Sequence, residues 1–330
     1  MIAVLGAGAV GLTVGGRLAN AGRSVLFVTR RPEAAAAIAR DGVLIEDPAA
    51  GSALRVRAGV DAVCGIDAAG PRIADGLVLV CVRATDTRAV ATELARGAPR
   101  AVVASLQNDV DNAAALAERF ARVIGCVVRQ TFTRTSDASV LALGNGRMVI
   151  GAFPMGRSAE ADRLAADLRA AGWDVGVSER IAADQWLKLA VNLMSAPNAL
   201  VVRDDHETQS FVDVKVRLLE EARTVLAAAG IEASSCDGRD RSLEEEIAFQ
   251  RAALARGTSA RRLPLYNQVW SALRHGGPLE ADTYHRRILD LAARHGVDAP
   301  QNARVLAAVC EANASRCGPE CLRARDLLVR

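Results

Sequence analysis

Near its start the chain reads Ile2-Ala3-Val4-Leu5 and then Gly6-Ala7-Gly8-Ala9-Val10-Gly11, a G-x-G-x-x-G that follows an apolar strand and opens an Ala-rich helix. In that context the pattern predicts a dinucleotide-binding turn. Gly6 is expected to make the tight turn, Gly8 to let the backbone approach a pyrophosphate, and Gly11 to let the helix pack closely on its strand. Ala7, Ala9 and Val10 complete the loop, whose backbone N–H groups lie at the positive end of the helix, where anions bind.

A chain that prefers NAD would place Asp or Glu at the end of the second strand, roughly 20 residues on, to accept from the ribose 2′-hydroxyl. Here that strand ends Phe27-Val28-Thr29-Arg30-Arg31-Pro32, with no acid. The guanidinium forks of Arg30 and Arg31 suit a 2′-phosphate, so NADP is the expected cofactor.

Through about residue 178, short apolar runs alternate with helix-like stretches, as βαβ units do when they feed a parallel sheet. Strands are expected over residues 2–5, 24–28, 77–81, 101–104 and 123–127, with weaker ones over 42–45, 147–150 and 174–177. Helices are expected over 9–21, 85–96, 111–119 and 159–171. Beyond residue 178 the strand signals stop, and amphipathic stretches follow over 181–194, 210–229, 243–255, 279–295 and 303–314. The fold class is therefore α/β. An N-terminal Rossmann-type doubly wound sheet, residues 1–178, would bind NADP, and an all-α C-terminal domain, residues 179–330, would carry substrate binding and catalysis.

Composition narrows the partners. The 330 residues are 51% apolar and 24% charged, which excludes a disordered or collagenous chain. A formal charge of +3, with no basic stripe, gives no expectation of a nucleic-acid partner. The opening residues show no basic n-region or signal cleavage site, and no uncharged apolar run of about 18 residues follows. A cytoplasmic chain without a membrane partner is expected. The cysteines at 64, 81, 126, 236, 310, 317 and 321 read as reduced thiols; Cys317 and Cys321 are spaced unlike a metal-binding pair and lack two further ligands, so no metal is expected. The Leu- and Ala-rich helical half could bury a homodimer face.

Among 41 basic residues only two are lysines, Lys188 and Lys215. A position that keeps Lys against such a bias can be one that must release a proton, which a guanidinium cannot do. Around it Trp186, Leu189, Ala190 and Leu193 form an apolar stripe, while Lys188 and Asn192 share another face at i, i+4. That face could line a cleft; equally, Asp184 and Lys188 could form a solvated ion pair. Lys215 reads as an ordinary solvated residue. Of the histidines, His285 and His295 are expected on solvated faces and His206 follows two aspartates, so a histidine-based dehydrogenase is not favoured.

Several segments carry a family likeness: residues 2–11 as written above, Val82-Arg83-Ala84, Leu106-Gln107-Asn108, Gln185-Trp186-Leu187-Lys188-Leu189-Ala190-Val191-Asn192 and Leu279-Glu280-Ala281-Asp282. Through them the chain resembles the ketopantoate reductases (2-dehydropantoate 2-reductases) over nearly its whole length. The resemblance implies NADPH-dependent reduction of a 2-oxo acid to a 2-hydroxy acid, foremost 2-dehydropantoate to pantoate in pantothenate biosynthesis, with Lys188 as general acid. It further implies that Glu280 orients the lysine or accepts from the substrate hydroxyl, and that Asn108 and Asn192 position cofactor and substrate.

The likeness has departures. Arg83 stands where the family has lysine and could still hold an anionic group of the cofactor, as a fork. Asp109 and Asp111 replace glycines, and Ala196 replaces an asparagine before Pro197, with Asn198 just after. Pro264 aligns where the family often has a substrate-binding serine. These changes bear on which substrate is reduced. A related hydroxyacid dehydrogenase with another substrate and a non-catalytic NADP-binding regulatory protein remain alternatives.

Overall fold

The computed structural model describes residues 1–255, 267–277 and 279–329. They fall into two compact units, Met1–Gln185 and Trp186–Arg330.

The first unit runs β1 (Ile2–Leu5), α1 (Ala9–Asn20), β2 (Val25–Thr29), α2 (Pro32–Asp41), β3 (Val43–Asp47), β4 (Ser52–Val56), β5 (Val60–Cys64) and α3 (Ile66–Ile73). It continues with β6 (Leu77–Val80), α4 (Thr87–Gly97), β7 (Val102–Ser105), α5 (Asp111–Ala117), β8 (Val123–Arg134), β9 (Ser139–Ala152), α6 (Ala159–Ala170) and β10 (Asp174–Val177). All ten strands join one sheet in the order β4-β3-β9-β8-β7-β6-β1-β2-β5, with β10 also on β9. The run β5-β2-β1-β6-β7-β8 is parallel throughout and reverses its winding between β1 and β6, the topological switch point at which such sheets bind ligands.

Helices cover both faces. Leu12 and Leu18 of α1, with Leu164 and Leu168 of α6, pack with Val4, Phe27 and Ile150. On the other face Ile66, Leu94 and Leu116, from α3, α4 and α5, pack with Leu5, Val80 and Val103. Alternate residues of each buried strand thus serve two cores, which is why these strands read as continuous apolar runs.

The sheet is mixed rather than wholly parallel. β8 extends to Arg134 and pairs antiparallel with the 14-residue β9, and β3 and β4 form a second antiparallel pair. The sequence pattern pointed only to short pieces of β8, β9 and β3, and gave no sign of β4, β5, α2 or α3.

The second unit shares α7 (Ile181–Asn192), within which the division falls, and continues with α8 (Ser195–Leu200), α9 (Gln209–Ala228), α10 (Leu243–Arg251), α11 (Gln268–His275), α12 (Glu280–His295), α13 (Pro300–Ser315) and α14 (Ala324–Leu327). Among the described residues it has no strand beyond an isolated bridge between Val201 and Leu322. Some of these helix starts are capped by side chains. Thr208 Oγ1 accepts from Phe211 N–H, Ser242 and Glu245 form a reciprocal capping box, and the Glu221 carboxylate accepts from the N–H groups of Gln301 and Asn302 at 2.7 and 2.9 Å. No helix among the described residues is long and apolar enough to cross a membrane.

Candidate functional site

The glycine turn lies at the carboxyl end of β1, beside the reversal in strand order. Gly6 has φ 106°, a conformation that L side chains rarely adopt, and donates its N–H to the Val28 carbonyl at 3.0 Å. A Cβ on Gly6 would sit 2.9 Å from the Cys81 carbonyl oxygen, and one on Gly11 would sit 2.1 Å from the Gly6 carbonyl oxygen. Gly8 differs: nothing lies within 4 Å of a Cβ built there. It is also the N-cap of α1, with no side-chain acceptor and no acid in the first helical turn. The loop, with Ala7, Ala9 and Val10 all half-buried, therefore keeps open space in front of first-turn N–H groups that no side chain claims. A dinucleotide pyrophosphate fits that cradle in both shape and charge.

Arg30 and Arg83 meet at one acid. Arg30 follows β2, Arg83 follows β6, and both reach the Asp86 carboxylate, at 3.1 and 3.3 Å. Two cations on one anion leave positive charge at this edge. Arg31 goes elsewhere: it ion-pairs with Asp137, and its carbonyl accepts from Thr29 Oγ1 at 2.8 Å. Of the two arginines that the sequence singled out, only Arg30 shares Asp86 with Arg83.

A buried polar chain ties the Arg83 loop to the Asn108 loop. Gln107 Nε2 donates to the Val82 carbonyl at 2.9 Å and to Thr87 Oγ1 at 2.6 Å, while its Oε1 accepts from Ser105 Oγ at 3.1 Å. Thr87 Oγ1 donates in turn to Asn112 Oδ1 at 2.7 Å, and Asn112 Nδ2 donates to the Asp109 carbonyl at 3.1 Å. Asn108, half-buried, lies between the anchored Gln107 and Asp109. Residue-by-residue reading gave no role to Asp86, Thr87, Gln107 or Asn112. Two carried a signal: Asp86 is three residues past Arg83, and Gln107 adjoins Asn108.

On α7, Leu187, Leu189, Ala190 and Leu193 beyond it are buried, whereas Lys188 and Asn192 are half-exposed. Asp184 is buried and accepts from Ser178 Oγ at 2.6 Å, so it does not belong to a solvated face. On α8, Ser195 Oγ and Asn198 Oδ1 are buried with no hydrogen-bond partner among the described residues. Ala196, ahead of Pro197, is fully buried. Glu280 is the first residue of α12; its side chain, like the whole of Pro264, lies outside the described residues.

The histidines need one correction. His285, expected on a solvated face, is fully buried, and its Nδ1 is 2.8 Å from Asn302 Oδ1. Its helix carries enough Arg to look exposed, yet the side packed on α13 is enclosed. Burial holds the imidazole down to about 4, against the opposing pull of Asn302, the Leu193 backbone and Asp282. His206 stacks on Phe211 with ring centroids 4.3 Å apart, and its Nε2 is 3.1 Å from the Val201 carbonyl, a packing role. Lys215 also has a partner: its Nζ lies 4.6 Å from the centroid of the Phe211 ring.

Two family models match the chain. Ketopantoate reductase PanE/ApbA covers residues 2–155, and Ketopantoate reductase PanE/ApbA C terminal covers residues 180–313. The 2-dehydropantoate 2-reductase of Halobacterium salinarum is 28% identical over 305 residues, 91% of this chain and 94% of that one. The crystal structure of the PanE/ApbA family ketopantoate reductase from Ralstonia eutropha JMP134 superposes with a TM-score of 0.78 at 27% identity, covering 96% of this chain and all of that one. A D-mandelate dehydrogenase solved with NADH and anilino(oxo)acetate superposes with a TM-score of 0.76 over 96% of this chain and all of that one; at 18% identity the likeness is one of fold.

Proposed function

This chain belongs to the ketopantoate reductase family, and on that premise we propose that it reduces a 2-oxo acid to the 2-hydroxy acid with NADPH, 2-dehydropantoate to pantoate foremost. The observation that carries the assignment to residues is the pairing on α7: one of only two lysines in the chain stands half-exposed at i, i+4 from an equally half-exposed asparagine.

The glycine cradle and first turn of α1 hold the pyrophosphate, and Arg30, with Arg83 beside it, holds the 2′-phosphate. Bound NADPH supplies the hydride to the ketone carbon. Lys188 donates a hydrogen bond from Nζ to the carbonyl oxygen, stabilises the negative charge that develops there and delivers the proton that completes the alcohol. A general acid placed this way contributes about 10²- to 10⁴-fold. Arginine would supply the charge but not the proton. Asn192 orients the substrate from the same helix, Asn108 orients cofactor and substrate from its anchored loop, and Glu280 acts on the lysine or the substrate hydroxyl from the start of α12.

The test is NADPH oxidation by the purified chain with 2-dehydropantoate beside a panel of 2-oxo acids. Turnover with 2-dehydropantoate, and loss of rate as the substrate is trimmed, is the expected result. NADPH binding without oxidation by any of the acids would make the chain a binding protein instead.

A further inference from the structure

Cys317 and Cys321 lie between α13 and α14, and their Sγ atoms approach to 2.7 Å. Both are free thiols, Cys317 exposed and Cys321 partly so. The chain doubles back here: Arg316, Gly318 and Glu320 have left-handed φ values of 55°, 81° and 58°. The turn is also anchored at its far side. Glu320 N–H donates to the Ala199 carbonyl at 2.8 Å, and Leu322 N–H donates to the Leu200 carbonyl at 3.0 Å. The Glu320 carboxylate accepts from Arg203 Nε at 3.0 Å and from Trp270 Nε1 at 3.2 Å. These contacts fix the chain on both sides of Cys321, and Cys317 N–H donates to the Ala312 carbonyl at 3.2 Å, so the backbone at both cysteines is held without involving either thiol.

We propose that Cys317 and Cys321 are a reversible dithiol–disulfide pair that a low-molecular-weight disulfide, such as oxidised glutathione, can close. The Cys317 sulfur, exposed and taken as its thiolate, attacks one sulfur of the oxidant, forming a mixed disulfide and expelling one thiolate. The Cys321 sulfur then attacks the Cys317 sulfur, forming the protein disulfide and expelling the second thiolate. The chain loses two electrons and two thiol protons, and the oxidant is reduced to two thiols. Because the second sulfur is already in place, the mixed disulfide resolves within the chain rather than persisting. The closed form would pin the end of α8 and the segment just after it, since Ala199, Leu200 and Arg203 are bonded to this turn. In a reducing compartment such a pair rests as thiols and responds to oxidant.

Trypsin cuts after Arg316 and Arg323, so both sulfurs fall on one peptide, residues 317–323. The full chain is incubated with oxidised glutathione, denatured, alkylated with iodoacetamide, digested and weighed by mass spectrometry. The expected peptide carries no alkyl group and is about 2 Da lighter than its dithiol, the two hydrogens lost on forming the S–S bond. Dithiothreitol before alkylation restores two alkyl groups. Cys321→Ser is expected to trap a glutathione adduct on Cys317, and Cys317→Ser to abolish the lighter peptide. Two alkyl groups on the oxidant-treated wild-type peptide would overturn the proposal, as would a glutathione adduct that persists with Cys321 intact.

Discussion

Gly11 stands so close to Gly6 that a Cβ on the former would lie 2.1 Å from the carbonyl oxygen of the latter, a clash with backbone that no rotamer change relieves. Gly11→Ala is therefore expected to force α1 away from the turn and to destabilise the fold by about 1–3 kcal/mol. Gly8→Ala meets no atom within 4 Å and keeps an extended φ of −80°. Its stability cost should stay near the ~1 kcal/mol of a poorer N-cap, while NADPH affinity falls tenfold or more, about 1.4 kcal/mol. Thermal denaturation beside a fluorescence titration with NADPH separates the two effects.

The shared carboxylate of Asp86 sets Arg30 apart from Arg31. Arg30→Ala removes the cation assigned to the 2′-phosphate, and a charge-assisted bond of that kind contributes about 1.5–3 kcal/mol. The NADPH kcat/KM should fall by about one to two orders of magnitude with the NADH value little changed. Arg31→Ala, whose guanidinium is engaged by Asp137, should do less. An equal loss for both cofactors would show that Arg30 does not read the phosphate.

Gln107 acts through its neighbours. Gln107→Leu strips the Val82 carbonyl of its donor and the buried Ser105 hydroxyl of its acceptor, at a cost of about 1–3 kcal/mol, while Thr87 Oγ1 keeps only Asn112. Because the Arg83 and Asn108 loops are joined here, KM for NADPH should rise more than kcat falls. A lower melting temperature with unchanged KM would reduce Gln107 to a structural role.

His285 gives stability a pH dependence of known sign. Its folded value of about 4 lies below the ordinary 6.5, so above 6.5 both folded and unfolded chains hold a neutral ring and the full stability is present. As pH falls from 6.5 toward 4, the unfolded chain takes a proton that the folded chain refuses, and stability drops by about 3 kcal/mol in all. His285→Gln can still hydrogen-bond with Asn302 and does not titrate. Urea unfolding should show the wild-type slope over this window flattened in the variant.

Legibility in the sequence followed burial. The parallel strands β2, β1, β6 and β7 and the first half of β8 are almost wholly buried, on both faces, so Val4, Phe27, Val78, Val103 and Ile124 announce themselves as apolar runs. β4, Ser52–Val56, lies at the sheet edge with one buried residue in five, and the outer half of β8, Arg129 to Arg134, has none. Only pairing across the sheet makes such segments strands, and a local pattern does not contain a distant partner. α3 was hidden by Pro71, which it carries inside the helix. The site divides the same way. The glycine turn is a local motif and could be read directly, whereas the meeting of Arg30 with Asp86 joins two loops 56 residues apart in the chain.

Lys188→Ala, assayed for turnover with 2-dehydropantoate beside the dissociation constant for NADPH, tests the proposed chemistry most directly. Loss of the proton donor should lower kcat by about 10²- to 10⁴-fold while NADPH affinity stays within about threefold of wild type. Lys188→Arg, charged but unable to release a proton, should remain similarly impaired. Near-native turnover in Lys188→Ala would contradict the account.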